Sequence, residues 1–257
     1  MTTISLKDSS EEQKEETKTE NLSNKIAEHN IESLSNDFIK NGFVEVSDFL
    51  EHTFASKCHH FYTKEMPEDW FRLTSSPSLN GEDEFALEFT PDYSEEQKSH
   101  TLSYFNQNKF SYRFHRTFDN HYENCGCFEC DIRSFFKSEE MLSFLSDITQ
   151  QDISKPSTQF SSWYKKGDFL SAHHDKDNGK VGVVLDFAMN WSPVFGGNLY
   201  LLEDNWIDVK KVIVPKFNNL KVFNIPEDRD GVPHFVSTVV VDDLPDRKRV
   251  AFGGWYN

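Results

Sequence analysis

The stretch Tyr164-Lys-Lys-Gly-Asp-Phe-Leu-Ser-Ala-His173-His174-Asp175 sets an imidazole and a carboxylate two residues apart. The run reads as a β-strand, and side chains at i and i+2 of a strand share a face. His173 and Asp175 together make two-thirds of a 2-His-1-carboxylate triad, the donor set that holds non-haem Fe(II) and leaves positions open for other ligands. A second histidine from a later strand would complete it. His234, in Val232-Pro-His-Phe-Val-Ser-Thr-Val239, is available. A rival pair, His174 with Asp177, has i, i+3 spacing, which sends the two side chains to opposite strand faces. His174 is therefore expected to point outward or to support the ligands from behind.

Three open positions on such an ion suit a bidentate co-substrate and O2. If the co-substrate is a dicarboxylate keto acid, its far carboxylate must be neutralised in an apolar interior, because an isolated buried carboxylate is very costly. Arginine suits that task, since its planar fork grips a carboxylate bidentately. Arg249 lies fifteen residues after His234, on the next predicted strand, where it could point into the same cavity. Cys125-Gly-Cys127-Phe-Glu-Cys130 poses a separate question. A structural zinc takes four ligands, usually with a second clustered pair. Here there is one cluster, with Cys58 or His121 as conceivable fourth ligands. Thiols in a loop are the expected reading, and metal binding by Cys125, Cys127 and Cys130 stays open.

The elements that must position these residues are legible in the C-terminal part. From residue 157 the pattern is β, with strands predicted over Thr158–Tyr164, Phe169–His174, Val181–Met189, Asn198–Leu202, Val209–Pro215, Leu220–Asn224, His234–Val241 and Arg249–Tyr256. Asn178-Gly179, Gly196-Gly197, Asn218-Asn219 and Asp230-Gly231 separate them as turns. Many short strands at regular spacing predict a double-sheet jelly roll, mainly β, with flanking helices on one outer face. Upstream, Leu22, Ile26, Leu34 and Phe38 fall near helical spacing, with Gly42 as a stop. Gly42–Leu50 alternates like a strand, and Leu50, Phe54, Cys58 and Phe61 suggest a second helix. Residues 66–135 read only as mixed strand, loop and helix. Met141, Leu142, Leu145 and Ile148 give a short amphipathic helix closed before Pro156.

The chain has 257 residues and a formal net charge of -16. Residues 1–21 are acidic and poor in large apolar groups, so they are expected to form a disordered tail. Residues 22–257 are expected to form a single domain, with 22–156 as helical and mixed support and 157–257 as the β core carrying the site. The acidity argues against a nucleic-acid ligand, which needs clustered Lys and Arg. It is compatible with a basic protein or peptide partner. No apolar run is long enough to span a bilayer, and the N-terminus lacks a signal pattern. An intracellular protein with reduced thiols is expected.

The order and spacing from Tyr164 to Trp255 resemble a known family. A Tyr and a Gly-containing turn precede H-x-D by the family's spacing in Tyr164, Gly167 and His173-His174-Asp175. The family's apolar strand, Trp and Gly-Gly-x-Leu are matched by Val183–Trp191 and Gly196-Gly-Asn-Leu199. Pro215-Lys-Phe-Asn218 leads to Phe223, His234-Phe-Val-Ser-Thr-Val239 supplies the distal motif, and Arg249-Val-Ala-Phe-Gly-Gly-Trp255 closes it. This pattern resembles the prolyl-4-hydroxylase-like branch of the Fe(II)/2-oxoglutarate-dependent dioxygenases, and within it the catalytic domain of the ribosomal-protein prolyl hydroxylases. The resemblance implies a double-stranded β-helix, iron ligands at His173, Asp175 and His234, and 2-oxoglutarate bound through Arg249 with Tyr164 as a second contact. It implies hydroxylation of a prolyl residue in a protein, coupled to decarboxylation of 2-oxoglutarate to succinate and CO2, with ascorbate supporting activity. The family's two-domain members carry a second barrel, and none is expected within these 257 residues. Hydroxylation of a free amino acid or small metabolite is therefore the alternative, and a non-catalytic binding module on the same fold is a further one.

Overall fold

The computed structural model describes residues 25–81, 85–88, 91–118, 125–228, 230–245 and 247–257. The predicted tail and His121 lie outside the described residues. Helix α1 (Ile31–Asn41) starts where Asn30 accepts a hydrogen bond from the Ser33 N–H and stops at Gly42, whose φ of 66° is left-handed. The helix thus begins nine residues later than Leu22. Ile26 instead pairs with Leu50 in an isolated bridge. Strand β1 (Phe43–Ser47) follows, then α2 (His52–His60), which widens into a π-helical turn at Phe61–Glu65.

The stretch that resisted reading holds β2 (Arg72–Ser76), β3 (Ala86–Leu87), α3 (Pro91–Asn106), β4 (Tyr112–Arg116) and α4 (Phe128–Phe136). After α5 (Glu139–Thr149) come β5 (Pro156–Tyr164), β6 (Phe169–His173), β7 (Val181–Asp186), β8 (Leu199–Leu202), β9 (Val209–Ile213), β10 (Asn219–Asn224), β11 (His234–Val236) and β12 (Arg249–Tyr256). All eight predicted C-terminal strands are present. β11 is shorter than His234–Val241 because later backbone groups bond to turns: Ser237 N–H donates to Asn198 O, and Val239 N–H to Asp168 O.

The strands form one curled antiparallel sheet, a jelly roll with flanking helices, in the order β1-β10-β7-β12-β5-β4-β6-β11-β8-β9. β4 joins its two layers, pairing with β5 through His115 and Arg116 and with β6 through Tyr112 and Arg113. The upstream part of the chain therefore contributes strands to the sheet as well as helices to its outside. Strand alternation sorts the side chains. Val181, Val183, Leu185, Leu220, Val222, Val250 and Phe252 face outward into a core shared with the helices. Phe114, Tyr164, Leu199, Leu201, Phe223 and Val236 face inward to a second apolar cluster. The inner face carries the site.

Candidate active site

His173 and His234 are 61 residues apart in sequence, yet β6 and β11 pair them directly across the ladder. Their rings lie 4.3 Å apart, centre to centre. Asp175 follows two residues after β6 ends, so it sits in a loop and not within the strand as the spacing predicts. The loop still turns it inward. Its Oδ1 is 3.5 Å from His173 Nε2 and its Oδ2 is 3.7 Å from His234 Nε2. Ligand atoms of the three residues all lie within 4.8 Å of one another.

Each imidazole is oriented from behind. Nδ1 of His173 lies 2.9 Å from Ser171 O, and Nδ1 of His234 lies 2.9 Å from Val232 O. A carbonyl only accepts, so each Nδ1 carries a proton, and each Nε2 faces Asp175 as the atom that a metal would take. Burial, reinforced by the neighbouring His173, brings the His234 pKa down to about 4. Burial opposes ionisation of Asp175, but hydrogen bonds from His173 and Trp255 and the charges of both histidines outweigh it and hold the carboxyl at about 2. A carboxylate and a neutral imidazole are therefore poised near neutral pH, the protonation that a divalent cation requires. These three residues fit an Fe(II) facial triad in donor type, number and mutual distance.

The triad opens on a cavity of ≈ 830 Å³ with walls that include Phe114, Phe160, Leu170, Phe223 and Trp255. Arg249 and Tyr164 line the same cavity from a second cross-strand pair, on β12 and β5. The guanidinium carbon sits 4.6 Å over the Tyr164 ring, a cation–π arrangement. Arg249 Nε donates to Gly197 O at 3.0 Å. Among the described residues nothing hydrogen-bonds its two terminal nitrogens, nor the Tyr164 hydroxyl. Burial raises the Tyr164 pKa far above its usual value, so it stays a protonated donor.

Two charged residues in this wall escaped the sequence reading. Lys221 and Asp186 are buried and ion-paired, and the other Asp186 oxygen lies 3.9 Å from Arg249 Nη1. At this end of the cavity two basic side chains face one carboxylate, an excess of one basic group, even though burial lowers the Lys221 pKa. One ligand carboxylate would balance that excess, which fits the far end of 2-oxoglutarate. The signal was present: a lysine within Leu220-Lys-Val-Phe223 and an aspartate within Val183-Val-Leu-Asp-Phe187 are charges inside otherwise apolar strands. Trp255, which lines the cavity, also hydrogen-bonds Asp175. His174 is not among the clustered ligands. Its ring contacts Trp206 at 5.7 Å and its Nε2 lies 3.5 Å from Asp230.

Comparison with known proteins agrees with this geometry. The family model described as the 2OG-Fe(II) oxygenase superfamily matches residues 159–257. No curated protein sequence matches. Similar solved structures include an oxidoreductase of the 2OG-Fe(II) oxygenase family from Burkholderia pseudomallei (12% identity, 90% of this chain, 92% of that chain, TM-score 0.55). A prolyl-4-hydroxylase from Pseudomonas putida is similar over 88% of this chain and 98% of its own (16% identity, TM-score 0.50). A prolyl hydroxylase from Trichoplax adhaerens, in complex with a hypoxia inducible factor peptide fragment, is similar over 88% of each chain (17% identity, TM-score 0.53). At these identities the structural likeness is one of fold. Residues 159–257, which hold the three clustered ligands and both charged walls of the cavity, match the 2OG-Fe(II) oxygenase superfamily, and this match supports a 2-oxoglutarate-dependent dioxygenase.

Proposed function

We propose that this chain hydroxylates a prolyl residue of a protein or peptide, using Fe(II), 2-oxoglutarate and O2. The observation that carries the reading is the convergence of His173, Asp175 and His234 on a cavity that Arg249 also lines. Nε2 of each histidine and a carboxylate oxygen of Asp175 would hold the metal. When bound, Fe(II) would supply the coupling of O2 reduction to 2-oxoglutarate decarboxylation and C–H hydroxylation. Arg249 takes the far carboxylate of 2-oxoglutarate with its terminal nitrogens, and the Tyr164 hydroxyl donates a further hydrogen bond. Asp186 and Lys221 set the charge at that end of the cavity. Phe114, Phe160 and Trp255 keep water from the reacting groups.

A prolyl substrate is supported by fold: two of the three neighbours described above are prolyl hydroxylases, one with a peptide bound. The net charge of -16 favours a basic target. The test is succinate formation with Fe(II), 2-oxoglutarate and ascorbate. Stimulation by proline-containing basic peptides, with one added oxygen on the proline by mass spectrometry, is the expected result. Stimulation by free amino acids alone would replace the protein substrate with a small one. No turnover under any condition would leave a binding module.

A further inference from the structure

We propose that Cys125, Cys127 and Cys130 form a second metal site, a three-thiolate clip for a thiophilic d10 cation of the Zn(II) type. Cys125 Sγ lies 3.1 Å from Cys127 Sγ and 2.9 Å from Cys130 Sγ. Non-bonded heavy atoms settle at ~3.5–4.0 Å, whereas a disulfide is ~2.05 Å. The sulfurs are thus gathered more tightly than packing requires, and none of them is disulfide-bonded. Two sulfurs on a tetrahedral zinc at ~2.3 Å each lie ~3.8 Å apart, so the cluster needs to open by less than about 1 Å along each edge to receive the ion.

The backbone is built to gather them. Gly126, at φ +69°, takes a left-handed conformation that turns the chain between the first two cysteines. Cys127 is the N-cap of α4, and its N–H donates to Cys125 Sγ at 3.4 Å. Cys130 sits in the first turn, its N–H bonded to Cys127 O. Burial raises the pKa of Cys127, and that of Cys130 to about 12, so the ion-free sulfurs are thiols and a cation would displace their protons, with the helix N-terminus offsetting the surplus negative charge of three thiolates on a divalent ion. Cys125 is exposed and the other two half-buried, so an ion can reach them. Cys58 is fully buried in α2 and outside this cluster, so among the described residues no fourth ligand joins the three sulfurs.

The position gives the ion a purpose. Between Cys127 and Cys130, the fully buried Glu129 accepts hydrogen bonds from Tyr62 (2.8 Å) and Ser161 (2.9 Å) and pairs with Arg133. Ser161 lies on β5, three residues before Tyr164. A clip on the sulfurs fastens the start of α4, and through Glu129 the back of the strand that carries the proposed co-substrate contact.

The test is a Cd(II) titration of the reduced full chain, read by the ultraviolet sulfur-to-cadmium charge-transfer band, which imidazole and carboxylate ligands do not produce. The band is expected to saturate at one equivalent, to be removed by an excess of EDTA, and to disappear in the Cys125→Ser/Cys127→Ser/Cys130→Ser variant. Should that variant fail to fold, the wild type suffices: Cd(II) is expected to protect these three thiols together from alkylation, mapped by peptide mass. A missing or unsaturable band, its persistence in the triple variant, or unprotected alkylation would overturn the site.

Discussion

At the residue scale, the groups legible in the sequence were those whose chemistry needs a fixed spacing. His173 and Asp175 are near neighbours, and Arg249 stands on a strand whose alternate side chains face one way. Lys221 and Asp186 were not legible because each is a single charge in an apolar run, and only the fold brings them together beside Arg249. Alanine at His173 or His234 is expected to reduce succinate formation to background while circular dichroism stays native. Turnover retained in both variants would remove them as ligands. Arg249→Ala removes charge-assisted hydrogen bonds worth ~1.5–3 kcal/mol, so the 2-oxoglutarate requirement should rise roughly 10- to 150-fold; an unchanged requirement would show that the co-substrate is held elsewhere. Lys221→Met leaves the buried Asp186 carboxylate with only the long 3.9 Å contact to Arg249 and should cost up to about 3–5 kcal/mol in urea unfolding. Asp186→Leu/Lys221→Met should regain most of that stability, and it restores the net positive charge of the cavity that the single variant cancels.

At the scale of elements, periodicity and turn signals located the eight C-terminal strands; β5, β7, β10 and β12 put side chains into the helix-packed core, whereas β9 is largely exposed and is bounded by its turns. Periodicity failed over 66–135, where β3 has two residues and β4 changes partner midway, from β6 to β5. Such a strand is defined by its neighbours and has no period of its own to read. The turn at Gly196-Gly197 could be seen as a turn, but its service to the site could not. Gly196 has φ 73° and ψ -161°, and a Cβ there would collide with Thr238 O. Gly197 O accepts the hydrogen bond that fixes Arg249. Gly196→Ala is therefore expected to cost roughly 1–3 kcal/mol of stability and also to weaken 2-oxoglutarate binding. Loss of stability with an unaltered co-substrate requirement would uncouple the turn from Arg249.

At the scale of the molecule, the sheet closes so that two cross-strand pairs, His173 with His234 and Tyr164 with Arg249, line one cavity. No helix among the described residues is long and apolar enough to cross a membrane. A ligand that binds only the closed sheet stabilises it: at a hundredfold excess over Kd the gain is ~2.7 kcal/mol, or roughly 5–10 °C in Tm for a chain of this size. Mn(II) with 2-oxoglutarate should produce such a shift, and a chelator should abolish it. Metal and co-substrate that leave Tm unmoved would argue against a joint site. The most direct test is a crystal structure grown anaerobically with Mn(II) and 2-oxoglutarate and phased on the manganese anomalous signal. The account predicts one manganese within bonding distance of His173 Nε2, His234 Nε2 and an Asp175 oxygen, with the far carboxylate of 2-oxoglutarate on Arg249. Manganese bound away from these three side chains, or 2-oxoglutarate seated without Arg249, would contradict it.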